Sequence, residues 1–237
     1  MASPKNVKSS PKPDGARARS RTLKQSIYGQ LKDRIVFLDL KAGEYLNETR
    51  LATELRVSRT VLREIIQWLI ADGLLVATPG QGVYVQGFDL MTIKNAYEMR
   101  IPLEGLAGRL AAQRIRPEQL DQIRDIIRRG NDAAARKDYR EMARLDWEFH
   151  RVIGEATRND LLASTLLRLL LPFNRLWYVA MADHGQVGNI LQEWREILAA
   201  LEERSVTGTE KALVAHMTAT PGVIRPVLLL DAAPPIP

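Results

Sequence analysis

The sequence predicts a mainly α protein, with an N-terminal winged helix-turn-helix followed by an all-α antiparallel helical bundle. Three observations predict it. An apolar stripe backed by a polar face runs through residues 57–69 and follows a short helical segment across a tight turn. Two short β-prone runs flank Thr78-Pro79-Gly80-Gln81-Gly82 directly afterwards. From Leu90 onward the apolar pattern is helical throughout.

The 237 residues suffice for two domains, and a 46% hydrophobic content can give each a core. The expected division is a disordered basic arm over 1–21, the winged unit over 22–87, the helical domain over 88–222 and a tail over 223–237, which carries four prolines. There is no cysteine, which excludes disulfides, thiolate metal sites and thiol nucleophiles and fits a reducing, cytoplasmic setting. No apolar run reaches membrane-spanning length, since the best stretch, 161–173, is too short and carries Arg168. The N-terminus lacks the apolar segment of a secretory signal.

Net charge is +6, and Lys5, Lys8, Lys12, Arg17, Arg19 and Arg21 against Asp14 supply five of those units. The arm can therefore follow a phosphate backbone, or simply solubilise the chain.

Leu23, Ile27, Leu31 and Ile35 recur every fourth residue and predict a first helix over residues 22 to about 38, closed by Lys41-Ala42-Gly43. Asn47 can cap a second, short helix that carries Leu51, Ala52 and Leu55 and ends near Arg56. Ser58 can cap the third, and Gly73 suits a left-handed stop beyond it.

Within the third helix Leu62, Ile65, Ile66 and Leu69 share one face, while Arg59, Thr60, Arg63 and Gln67 share another. Two arginines one turn apart, beside a hydroxyl and an amide, can reach guanine edges, adenine edges and phosphates from a major groove. A solvated helix face would carry the same residue types. Residues 74–77 and 83–85 then form a hairpin, and Gly80 and Gly82 at its tip allow close approach to DNA.

The run LNETRLATELRVSRTVLREIIQWLIADGLLVATPGQGVYV resembles the DNA-binding domain of the GntR-type bacterial transcription regulators, whose core reads LAxxLxVSRTxxREAL. The resemblance covers about residues 23–85. It implies that Arg59, Thr60 and Arg63 contact operator DNA, with Ser58 and Gln67 beside them and Gly80 at the wing tip. The chain departs from the pattern twice. Thr49 followed by Arg50 stands where many members have arginine followed by an acid, which implies that the contact is either moved to Arg50 or lost. Arg56 stands where glycine is common, and a left-handed arginine is costly.

In the second half, Pro117 starts a helix, Pro102 should kink rather than end one, and polar stretches near Asn131, Asn159 and 184–189 mark breaks. About six helices fit. Asp146 and His150, four apart, share a helix face, the geometry with which a carboxylate and an imidazole grip one metal ion, and His216 lies on the last helix. Spacing alone does not make these a metal site.

The segments YEMRIPLEGLAGRLAA, DWEFHRVIGEATRNDLL and EWREILAALEERSVTGTEKALVAHM resemble the FCD branch of the same family, named for the FadR C-terminal domain. The resemblance covers about residues 96–217. It implies a divalent metal, such as zinc, nickel or manganese, held by an Asp, a His one turn later and two further histidines, with an effector carboxylate completing the shell. Asp146, His150 and His216 match three of those positions, and Trp194 stands at the fourth. Indole has no free lone pair for a metal, so the resemblance implies a three-ligand site with water or no metal at all. His184 could substitute, although it falls in a predicted loop. Arg100 matches a bundle-facing arginine suited to an effector carboxylate, which places Arg100 and Trp194 at the expected effector pocket.

The expected function is a homodimeric regulator, a repressor rather than an activator, that binds double-stranded operator DNA and answers to a small-molecule effector such as an organic acid. Two other classes stay open at this level. A helical metalloenzyme could use Asp146, His150 and His216, though no recognisable motif places a general base. An effector-independent DNA-binding protein could also carry the winged unit.

Overall fold

A computed structural model describes residues 13–184 and 189–219. The winged unit runs α1 (Pro13–Val36), α2 (Glu48–Glu54), α3 (Arg59–Ala71), β1 (Leu75–Thr78) and β2 (Gly82–Val85). The bundle follows as α4 (Leu90–Arg114), α5 (Pro117–Ala135), α6 (Tyr139–Ala156), α7 (Asp160–His184), α8 (Ile190–Glu202) and α9 (Val206–Ala219). Six bundle helices among the described residues match the expected number.

The winged unit closes on Ile27, Leu31 and Ile35 of α1, Leu51 and Ala52 of α2, Leu62, Ile65, Ile66 and Leu69 of α3, and Leu75, Val83 and Val85 of the hairpin. Leu23, expected in the same stripe, is 52% exposed. Four-residue steps rotate a straight helix by about 40° each, so over the three steps from Leu23 to Ile35 the stripe turns by about 120° and Leu23 leaves the core face. The helix also starts earlier than expected: residues 13–21 of the expected arm are helical and continuous with α1. Residues 1–12 of that arm and the tail at 223–237 lie outside the described residues.

Both predicted caps form. Asn47 accepts from the Arg50 N–H at 2.9 Å, and Ser58 accepts from the Val61 N–H at 3.3 Å. Arg56 takes the left-handed conformation, at φ 54°, and the Val57 N–H reaches back to the Ala52 carbonyl. The tight turn therefore keeps its geometry without glycine.

The hairpin is antiparallel, with Leu75 opposite Val85 and Thr78 opposite Gly82. Pro79 and Gly80 occupy the centre of its turn, where Gln81 N–H meets the Thr78 carbonyl at 3.0 Å. Gly80, at φ 74°, meets the demand of a type II turn. Gly82 answers a different demand, because a Cβ there would lie 2.7 Å from the Tyr45 ring.

In the bundle α4 packs along α9, and α6 lies between α5 and α7. Gly108 permits the first approach, since a Cβ there would lie 3.0 Å from the Thr209 carbonyl oxygen on α9. Pro102 sits within a continuous α4, as expected, and Pro172 is accommodated within α7 in the same way. The break expected near Asn131 falls later, because the Asn131 amide bonds back to the Ile127 carbonyl and α5 runs on to Ala135. His184, expected in a loop, is the last residue of α7.

The two units are docked. Arg144 pairs with Asp33 at 3.2 Å, Arg140 pairs with Asp39, and Leu171 of α7 enters the core of the winged unit. The Lys32 ammonium lies 3.8 Å above the Trp147 ring. Among the described residues no helix is long and apolar enough to cross a membrane.

Candidate DNA-reading face and bundle site

The two faces of α3 separate as the sequence predicts. Leu62, Ile65, Ile66 and Leu69 are buried, whereas Ser58, Arg59, Thr60, Arg63 and Gln67 are exposed. Arg50 on α2 and Gly80 at the hairpin tip are exposed as well. Arg63 Nε lies 2.9 Å from Glu48 Oε2, so a carboxylate on α2 orients this guanidinium while its side chain stays 63% exposed.

In the bundle, Asp146 and His150 of α6 meet His216 of α9, and one ligand atom from each lies within 4.8 Å of the others. All three side chains are buried. Each imidazole is backed by a carboxylate. His150 Nδ1 lies 3.0 Å from Glu104 Oε1, and His216 Nδ1 hydrogen-bonds Glu193 Oε2 at 2.7 Å. At His216 this is the carboxylate–histidine arrangement that fixes tautomer and raises ligand basicity, and at His150 the Glu104 carboxylate lies close without a well-aligned hydrogen bond. The donor set of one carboxylate and two imidazoles therefore fits a divalent transition ion with open positions.

Glu104 carries a second partner, the Arg100 guanidinium, whose Nη2 donates to it at 2.7 Å. Burial alone would push the Glu104 carboxyl up. The neighbouring His150 and Arg100 outweigh burial and hold it well below the usual carboxylate range. Arg100 is itself 1% exposed, and its Nε and Nη1 have no hydrogen-bond partner. Arg100, Asp146, His150, Phe173, Ile190 and His216 line a cavity of about 10 Å³, room for one water-sized particle.

Trp194 does not line that cavity. It is fully buried, stacks on Phe149 with ring centroids 5.0 Å apart, and leaves so little room beside Gly130 that a Cβ there would lie 3.2 Å from the indole. The indole is packed as core and offers no lone pair to a metal at the position where the fourth ligand was expected. Sequence reasoning missed Glu104 and Glu193. The four-residue step from Arg100 to Glu104 was a visible signal, but the contact of Glu193 with a helix 23 positions later was not.

Comparison with known proteins agrees with this architecture. Residues 23–85 match the bacterial regulatory proteins of the gntR family, and residues 95–219 match the FCD domain. The HTH-type regulator YdhC of Bacillus subtilis is 30% identical over 80% of this chain and 85% of its own length. The repressor RspR of Escherichia coli is 26% identical over 81% and 85%. The Nta operon regulator of Aminobacter aminovorans is 37% identical over 52% of this chain, and the match spans only 58% of that regulator. Among solved structures, E. coli McbR/YncC superposes with a TM-score of 0.78 at 19% identity, covering 87% of this chain and 98% of that one, a likeness of fold. These relatives are transcription regulators and not enzymes. With a winged reader and an FCD bundle in this order, the chain belongs to the gntR family of DNA-binding bacterial transcription regulators.

Proposed function

We propose that the chain is a homodimeric repressor whose operator affinity is controlled by a small organic acid bound beside a divalent metal in the bundle. The observation that carries this reading is the buried Asp146, His150 and His216 cluster with a glutamate behind each imidazole. Buried polar groups of this density are costly to a core that has no use for them. A divalent ion held there would offer its remaining coordination positions to an effector carboxylate.

The chain's own residues supply the rest. Arg100, with Nε and Nη1 unpartnered, has donors to spare for a carboxylate. The cavity of about 10 Å³ admits no organic acid unless its walls part, and these include α8 through Ile190 and α9 through His216 and Met217. Because α9 packs on α4, and α4 starts immediately after the wing, such a movement reaches the reader. Effector binding shifts the balance of states by its differential affinity for them.

On the DNA side, Arg59, Thr60, Arg63 and Gln67 read the major groove, Arg50 and the α3 N-terminus at Ser58 hold phosphates, and Gly80 brings the wing to the backbone. Met91, Met99 and Leu106 stand exposed at seven- to eight-residue spacing on α4, which supports a seam for a second copy and hence a palindromic operator. The repressor RspR among the relatives favours repression over activation. The test is to capture genomic fragments with the full-length protein and then titrate an operator in a mobility-shift assay against a panel of organic acids. Release by one acid, absent in His216→Ala, is expected. Binding that no acid alters in the metal-loaded protein would contradict the reading.

A further inference from the structure

A larger cleft lies elsewhere, between the two units. Its volume is about 330 Å³, within the range of small-molecule sites, and Asp72, Phe88, Thr92, Arg168, Pro172 and Arg175 are among the residues that line it. Among the described residues it shares no lining residue with the bundle cavity. Its walls are the end of α3, residues 86–89 between wing and bundle, the first turn of α4 and one face of α7.

Arg175 is the unusual member. It is 3% exposed, and its Nη1 donates to the Gln86 carbonyl while its face lies 4.4 Å from the Phe88 ring centre. Nε and Nη2 are buried and have no hydrogen-bond partner. Those two N–H groups share one edge of the guanidinium, the fork that takes a carboxylate or phosphate in two-pronged fashion. Among the described residues no carboxylate fills this role. Asp72 accepts the Tyr28 hydroxyl at 2.6 Å, and Asp89 caps α4 and accepts the Thr92 hydroxyl at 2.6 Å. Arg168 stands two turns before Arg175 on α7, is exposed, and makes no ion pair among the described residues. A buried cation with two unmet donors, a second cation on the same face and space for an organic molecule together form the outline of an anion site.

We propose that this cleft is a second ligand site, for a small organic molecule bearing a carboxylate or phosphate that parts the wall over the buried Nε and Nη2 edge of Arg175 and docks on it, with Arg168 at its rim. Such an occupant touches the end of the reading helix, the link to the bundle and α7 at once. It therefore sets the angle between reader and bundle independently of the metal-centred cavity, and gives the regulator a second input. The burial that lowers the Arg175 pKa adds to the advantage of an incoming anion.

The test is calorimetric titration of the full-length protein with inorganic phosphate and with succinate, at constant ionic strength set by chloride. Saturable binding of at least one probe is expected, weakened about tenfold or more in Arg175→Gln. Arg168→Gln, an exposed change that leaves the fold intact, should weaken it several-fold even if Arg175→Gln fails to fold, and His150→Ala should leave it unchanged. Absence of saturable binding by both probes, binding indifferent to Arg168→Gln, or binding abolished by His150→Ala would each overturn the proposal. The last outcome would assign the anion to the bundle cavity instead.

Discussion

Arg63 of α3 is held by Glu48 of α2, Nε to Oε2 at 2.9 Å, so the reading helix presents an oriented guanidinium and not a freely swinging one. The pair is exposed enough to add little to stability. Under the proposed function its value lies in orientation, because a fixed planar fork matches one base edge better than others. Arg63→Ala should therefore weaken specific operator binding by about 1–3 kcal/mol and leave the thermal midpoint nearly unchanged. Unchanged affinity in a mobility shift would move the reading role off this residue.

Arg56 holds a left-handed conformation that glycine adopts at no steric cost. Arg56→Gly should raise stability by roughly 0.5–1 kcal/mol, after allowance for the greater freedom of glycine in the unfolded chain. If the exposed guanidinium also meets a phosphate, the same variant should bind operator more weakly with a shallower salt dependence. Denaturant titration and a salt series measure the two effects separately.

Trp194 fills core space at the position that the family resemblance assigns to a fourth metal ligand. Trp194→Ala should destabilise the bundle by about 3–5 kcal/mol. Trp194→His should also lose stability in the apo protein, yet bind zinc more tightly in calorimetry. Equal or weaker zinc binding would show that the fourth position has moved beyond repair by one side chain.

Tyr28 donates to Asp72, and burial, followed by that bond and the Asp72 charge, raises the pKa of its phenol. The folded value stands above the unfolded one. The stabilising contribution is complete below about pH 10 and is lost as pH rises beyond it. Tyr28→Phe should flatten the alkaline fall of stability, as read by thermal midpoints across that range.

Much of the winged unit was legible because its determinants are local. Asn47, Ser58 and Gly73 mark helix ends by their own chemistry, and the α3 stripe keeps a true 3.6-residue period. Leu23 was misread because a strict four-residue repeat drifts around the helix. The end of α5 was misplaced because Asn131 satisfies its amide within the helix, while the actual stop, Lys137 at φ 56°, lacks a glycine signal. In the bundle, Asp146 and His150 were visible as neighbours on one helix. The approach of His216, the carboxylates behind the imidazoles and the unpartnered Arg175 edge depend on contacts between helices far apart in sequence. No periodicity encodes those contacts.

Elemental analysis of the purified protein by mass spectrometry, without added metal or chelator, tests the central claim most directly. Near-stoichiometric zinc, nickel or manganese in the wild type, lost in the His216→Ala variant, is the predicted result. A wild-type protein free of metal that also fails to take up added zinc, or metal retained equally by His216→Ala, would contradict the metal-centred account.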